Sequence, residues 1–120
     1  AGRYPTETII RFARDNDIIS LEEAHWRLSA FPAFCAGFQD RGTLRLGAPA
    51  DIVVYNLDQL AITDTEVVHD LPGNEWRRIQ KAVGYRYIMV NGEVTMMDGK
   101  DTGATPGVVL RHGGASTGDG

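Results

Sequence analysis

The order of apolar and polar positions divides the chain into a helical third and a strand-forming remainder. Ile9, Ile10, Phe12 and Ala13 recur at helical spacing, which predicts one helix with an apolar stripe. Tyr4-Pro5-Thr6-Glu7 reads as its start. Pro5 is preorganised for a first turn, and Thr6 or Thr8 can cap. Asp15-Asn16-Asp17 ends it, because short polar side chains compete there for the backbone. Ser20-Leu21-Glu22-Glu23 is a capping box, with Ser20 taking the Glu23 N–H and Glu23 reaching back to the Ser20 N–H. Leu21, Ala24, His25 and Leu28 share one face of the helix that follows. It is expected to stop near Ser29 or Ala30, since Pro32 disfavours a helical Phe31. Phe31 to Ala36 reads as a third, short helix, with Gly37 placed where a positive φ closes it.

The pattern then turns to strands. Gly42 to Gly47 is a short, Gly-bounded β segment. Asp51-Ile52-Val53-Val54-Tyr55 is a continuous apolar run, which predicts a strand covered on both faces. Residues 58–81 are mixed and polar, with Leu71-Pro72-Gly73-Asn74 as a turn. Tyr85 to Val90 is a β-branched and aromatic run. Asn91-Gly92 follows, the strongest short hairpin signal, and Glu93 to Met97 is the return strand. Asp98-Gly99 ends that strand, and Val108 to Arg111 is a last short one after the Gly103–Gly107 turn. The tail from His112 is Gly- and Ser-rich and is expected to lack order.

Composition changes this picture little. The chain has 120 residues, 42% of them hydrophobic, which suffices for one domain with a core. Thirteen of its fourteen glycines lie at or after Gly37, where the turns are. Twelve basic residues against sixteen acidic ones leave no cationic footprint for nucleic acid. No run approaches the roughly 18 apolar residues of a membrane span. Arg11, Arg14 and Asp15 break any signal-peptide core. A single cysteine, Cys35, excludes an internal disulfide and fits a cytoplasmic setting.

Candidate chemistry is thin. His25, His69 and His112 stand at no metal-ligand spacing. His25 reads as a core or interface residue, His69 as a solvated loop residue beside Asp70, and His112 as inert tail. Cys35, between Phe34 and Ala36, reads as a buried structural thiol. Glu22 and Glu23 are accounted for by capping. Asp51, Asp98 and Asp101 are strand-end or turn carboxylates without an assignable partner. Trp76-Arg77-Arg78 is a candidate interface patch of ordinary surface composition. The glycine spacings fail the phosphate-loop test. From the residues alone, the chain has no autonomous active site.

The sequence of motifs says more than any one of them. After Ser20-Leu21-Glu22-Glu23-Ala24 and Ser29-Ala30-Phe31-Pro32-Ala33 comes Asp40-Arg41-Gly42-Thr43-Leu44, then Gly47 and Ala50-Asp51-Ile52-Val53-Val54-Tyr55-Asn56. Ile88-Met89-Val90-Asn91-Gly92-Glu93-Val94 follows, then Asp98-Gly99, Thr102-Gly103 and Pro106-Gly107-Val108-Val109-Leu110-Arg111. This order resembles the C-terminal end of the amidohydrolase superfamily, and within it the D-aminoacylases, which are N-acyl-D-amino-acid deacylases. The closing Thr-Gly, Pro-Gly and Leu-Arg elements carry the resemblance to that branch.

The resemblance implies an α+β fragment: the last helices of a (β/α)8 barrel followed by the C-terminal part of a small β-sandwich. Residues 1–37 would be the helical end of the barrel, 38–111 the sandwich portion and 112–120 a flexible tail. The family's parent enzyme uses zinc or another divalent metal to activate water against an amide. Its ligands lie on barrel strands upstream, and the chain would begin just after the eighth strand. No catalytic, cofactor-binding or metal residue is therefore carried over, and the isolated chain is expected to be inactive. Its expected partner is the missing barrel as another polypeptide, or a second copy through exposed strands; neither nucleic acid nor membrane is expected. Two other readings stand beside it: a non-catalytic β-rich interaction module, and a metal site assembled in an oligomer from His25, His69 and Cys35.

Overall fold

The computed structural model describes residues 4–111. Helix α1 runs Tyr4–Thr8 and continues as a π-helical segment, Ile9–Asp15. Thr6 and Thr8 do not cap it. Thr6 is buried in its interior, and Thr8 Oγ1 donates back to the Tyr4 carbonyl at 2.8 Å. Asn16 closes the helix, its side-chain amide donating to the Arg11 carbonyl at 2.7 Å. Asp17 then turns the chain at φ 51°.

Helix α2, Leu21–His25, opens as the sequence predicts, with Ser20 Oγ accepting from Glu23 N at 3.0 Å. The Glu23 carboxylate is turned instead toward Arg27, at 2.9 Å. The expected stop before Pro32 is absent. Phe31 is helical at φ −66°, ψ −48°, and α3 follows directly over Phe31–Cys35. The intervening Trp26–Ala30 is π-helical, with Phe31 N donating to Trp26 O. Such a widened turn re-registers the ladder ahead of proline, so Pro32 stands in the first turn of α3, where an N–H is not needed. Gly37, at φ 77°, closes α3: its N–H reaches Phe34 O at 3.0 Å, and Phe38 N reaches Ala33 O at 2.9 Å. These are the two bonds of a Schellman motif.

The expected β segment at Gly42–Gly47 is a loop. Gly42 and Gly47 take φ of 89° and 83°, and a Cβ on Gly42 would stand 2.7 Å from the Ser29 carbonyl. Close packing against the helices fixes the segment at Gly42, while Leu44 and Leu46 beyond it stand largely in solvent.

The strands follow: β1 Ile52–Tyr55, β2 Ala61–Ile62, β3 Glu66–Leu71, β4 Glu75–Ile79, β5 Ala82–Val83, β6 Tyr85–Val90, β7 Glu93–Met97 and β8 Lys100–Asp101. One antiparallel sheet has the order β1-β6-β7-β8. The β6–β7 turn is Asn91-Gly92 with φ of 49° and 81°, the left-handed pair a type I′ turn demands. Asp98-Gly99 repeats it between β7 and β8.

Residues 61–83, mixed and polar in sequence around the expected turn, form a two-stranded ribbon. β2 pairs with β5 and β3 with β4, and Thr63 N donating to Lys81 O at 2.7 Å links the two pairings. Pro72-Gly73-Asn74 makes its tip. The expected strand at Val108–Arg111 is irregular chain. Its apolar residues find no ladder to join among the described residues, and Val109 is exposed.

α1 and α2 reach the four-stranded sheet through Thr6, which meets Tyr85, and His25, which meets Tyr55. Ile9, Ala24, Ala33 and Leu60 are the buried apolar residues among those described. The apolar run of β1 is not covered on both sides: Val53 and Val54 are 51% and 42% exposed.

Candidate functional site

The polar residues that the structure gathers lie at two junctions between the helical part and the sheet. The first is built on Arg41, whose side chain is 7% exposed. Its Nη1 donates to Asp51 Oδ2 and, at 2.8 Å, to Asn91 Oδ1. Asp51 Oδ1 accepts the Asn91 backbone N–H at 2.8 Å, and Asn91 Nδ2 donates to the Pro106 carbonyl at 2.8 Å. Gly92 N reaches Ala50 O at 3.0 Å. One guanidinium thus ties together the loop after α3, the start of β1, the β6–β7 turn and the closing segment.

The second junction is aromatic. Tyr55 on β1 meets His25 on α2, with Oη to Nε2 at 2.6 Å. Tyr85 on β6 meets the buried Thr6 of α1, hydroxyl to hydroxyl at 2.6 Å. The two tyrosine rings lie 6.1 Å apart. Loss of water around the Tyr55 phenol raises its pKa above the usual 10, and the neighbouring Tyr85 adds to the rise. Each hydroxyl gives a half-buried aromatic a polar partner across the interface. Nearby, Arg14 Nη1 donates to the carbonyls of Leu57 and Leu60, at 3.0 and 2.6 Å.

The other candidate residues do not converge. His25 is half-buried, as an interface histidine should be. His69 stands exposed on β3, not in a loop. Cys35 is exposed, which corrects its reading as a buried thiol. Ala33 is the residue α3 turns inward, and Phe34 beside Cys35 is itself 80% exposed. His112 lies outside the described residues. Asp98, in the β7–β8 turn, pairs with Arg86 of the neighbouring β6 at 2.8 Å. Asp101 Oδ1 accepts the Gly103 N–H at 2.7 Å. Asp70 and Arg77 pair across the ribbon, Nε to Oδ1 at 2.7 Å. That hydrogen bond holds the Asp70 carboxyl below the ordinary carboxylate range and raises Arg77. Arg78 lies 5.7 Å over the Trp76 ring.

A catalytic zinc-type centre needs three convergent protein ligands and an open position for water. Among the described residues no three of His, Cys, Asp and Glu come together. The Nε2 of His25 is already engaged by Tyr55. The donors present do not fit such a metal. A shallow groove of about 300 Å³ runs along Val83, Ile88 and Met96. Its charged lining residues, Arg86 and Asp98, neutralise one another, leaving no convergent polar set to orient a ligand.

The profile described as "Amidohydrolase family" matches residues 3–96. The chain belongs to the amidohydrolase family. It is 34% identical to an N-acyl-D-aspartate deacylase of Alcaligenes xylosoxydans xylosoxydans over 111 residues, 92% of this chain and 20% of that protein. An N-acyl-D-glutamate deacylase of the same organism is 32% identical over 87 residues, 72% of this chain and 16% of that one. Its D-aminoacylase is 29% identical over 109 residues, 91% of this chain and 20% of the relative. The amidohydrolase chain therefore spans a fifth or less of the length of these relatives, and within the family it is D-aminoacylase-like. No solved structure matches it. No helix among its described residues is long and apolar enough to cross a membrane.

Arg41, Asn91, Tyr55, Tyr85 and Thr6 were not legible as polar partners in the sequence. The available signal was the order of the Asp-Arg-Gly, Ala-Asp, Asn-Gly and Pro-Gly motifs. One member of each, or its neighbour, enters the first junction.

Proposed function

We propose that this chain is the C-terminal structural portion of a metal-dependent amidohydrolase that hydrolyses linear amides of N-acyl-D-amino-acid type. In this reading residues 1–37 are closing helices of a barrel and 38–111 a share of a small β-sandwich. The Arg41 junction carries the proposal. Motif residues that carry the family resemblance meet there around the buried Arg41, in a clasp that joins the loop after α3 to the sheet. Arg41 Nη1, the Asp51 carboxylate and the Asn91 amide engage one another there, while Arg41 Nε and Nη2 are buried without a hydrogen bond and Nε lies 3.7 Å from Asp40 Oδ1. Contacts that bind separate segments in this way are suited to fixing two substructures. The relatives' greater length supports assigning the metal and the reacting groups to residues outside this chain.

The test is a chimera. Residues 1–111 replace the matching segment of the N-acyl-D-aspartate deacylase, and hydrolysis of N-acyl-D-amino acids is followed. The chimera retains hydrolysis. Asp51→Ala within it lowers the yield of folded enzyme but not the turnover of the folded fraction. The isolated chain with added zinc stays at the blank rate. Hydrolysis by the isolated chain overturns the proposal.

A further inference from the structure

The ribbon of residues 61–83 takes part in neither of the two junctions described above. We propose that the outer edge of β4 pairs with the same edge of a second copy of this chain, joining two ribbons into one four-stranded sheet. The β3–β4 sheet has two strands among the described residues, so each strand leaves one edge of N–H and C=O groups without a further strand among them. Lone two-stranded ribbons are marginal in water, and a third and fourth strand stabilise them.

Charge selects the edge and the register. An antiparallel strand pair about a two-fold axis sets residues opposite one another symmetrically. Centred on Trp76, β4 places Glu75 opposite Arg77 of the second copy, twice, with the two Trp76 side chains facing one another on the other side of the sheet. Glu75 has no ion pair among the described residues. Arg77 gives Nε and Nη2 to Asp70, which leaves Nη1 to meet the second copy's Glu75. Trp76 is 54% exposed and ready for a cross-strand aromatic pair. The β3 edge offers no such match. Centred on Val68 it would oppose Glu66 to Asp70, like against like, and its register slips between Val68 and Leu71.

Sedimentation of the 120-residue chain across a concentration series tests this, with Glu75→Arg as the variant. The wild type sediments as a dimer. Glu75→Arg, which sets arginine against arginine, weakens association by about tenfold or more with an unchanged circular-dichroism spectrum. In a Cys35→Ala background, Trp76→Cys cross-links to dimer under mild oxidation, because opposed Cα atoms stand about 4.5–5.5 Å apart, within disulfide reach. Val67→Cys, on the β3 edge, does not. A monomer at every concentration overturns the proposal. So does a dimer that Glu75→Arg leaves intact, including one that Val53→Lys dissolves through the β1 edge. Equal cross-linking at Val67 overturns it as well.

Discussion

Arg41 shows what a single residue contributes to this fold. Its guanidinium is almost wholly removed from water, and Asp51, Asn91 and the Asp40 carboxylate 3.7 Å from Nε compensate it. Removing the Asp51 carboxylate from such a group leaves a buried charge less well compensated, with Asp40 alone still ion-paired to Arg41, which costs more than the lost contact contributes when intact. Asp51 keeps 37% of its side chain exposed, which moderates the effect. Asp51→Ala is expected to destabilise the chain by about 2 kcal/mol, read as a lowered thermal midpoint. Gly84 gives a second case. It takes φ 101°, and a Cβ there would stand 2.8 Å from the Leu60 backbone. Gly84→Ala therefore combines strain with a clash and is expected to cost on the order of 2 kcal/mol or more. A midpoint unchanged by Gly84→Ala would refute the close approach. The local devices were legible because their atoms are neighbours in sequence: Ser20 with Glu23, Gly37 with Phe34, Asn91 with Gly92. The Arg41 junction was not, because Asp51 lies 10 residues and Asn91 50 residues away. Only the recurring order of motifs hinted that they belong together.

At the scale of elements, helices and hairpins with local signals formed where the pattern put them, and four segments did not, the Gly42–Gly47 loop among them. Pro32 lost its role as a terminator because a π-helical turn absorbs the missing N–H. Residues 58–81 hid a ribbon, since a strand exposed on both faces shows no apolar alternation to read. Val108–Arg111 has strand composition without a partner among the described residues. The contact between helices and sheet also makes a prediction about pH. The Tyr55 phenol has a folded-state pKa above the unfolded value near 10, chiefly through lost hydration. A raised folded pKa means the neutral form is the one the fold favours. The stability it contributes is fully present below pH ~10 and is lost as pH rises through the higher folded value. Alkaline titration should therefore loosen the β1–α2 contact above pH ~10, and Tyr55→Phe should remove that component. Ultraviolet absorbance of tyrosinate, followed with far-ultraviolet circular dichroism, separates the two; coincident titration of variant and wild type would count against it. Asp70 carries the opposite sign. Its lowered pKa makes the Arg77 pair a contribution present above pH ~4 and lost as acid protonates the carboxylate.

The whole molecule is less closed than its length suggests. It exposes 8714 Å², where a self-contained monomer of 13.1 kDa would expose roughly 6,400 Å². Its radius of gyration is 16.3 Å, against about 13.6 Å for a compact domain of 120 residues. Two of the four buried apolar residues among those described are alanines, while Phe34, Leu44, Leu46 and Val109 stand largely in solvent. The sequence had the apolar content for a core, and the uninterrupted run from Ile52 to Tyr55 marked a strand meant to be covered. What composition does not reveal is whether the covering layer is in the same stretch of chain. Denaturant sensitivity scales with the surface exposed on unfolding, so the isolated chain should unfold with an m-value below that of compact domains of its length. It should also bind the dye ANS in the native state, through faces that already lie open to water. The same residues placed in the deacylase chimera should lose that dye binding, because a second layer then covers β1 and the helix surface around Phe34. An isolated chain that excludes ANS and unfolds with the m-value of a compact 120-residue domain would show that residues 1–120 close their own core. The proposed division of the enzyme would then have to be drawn elsewhere.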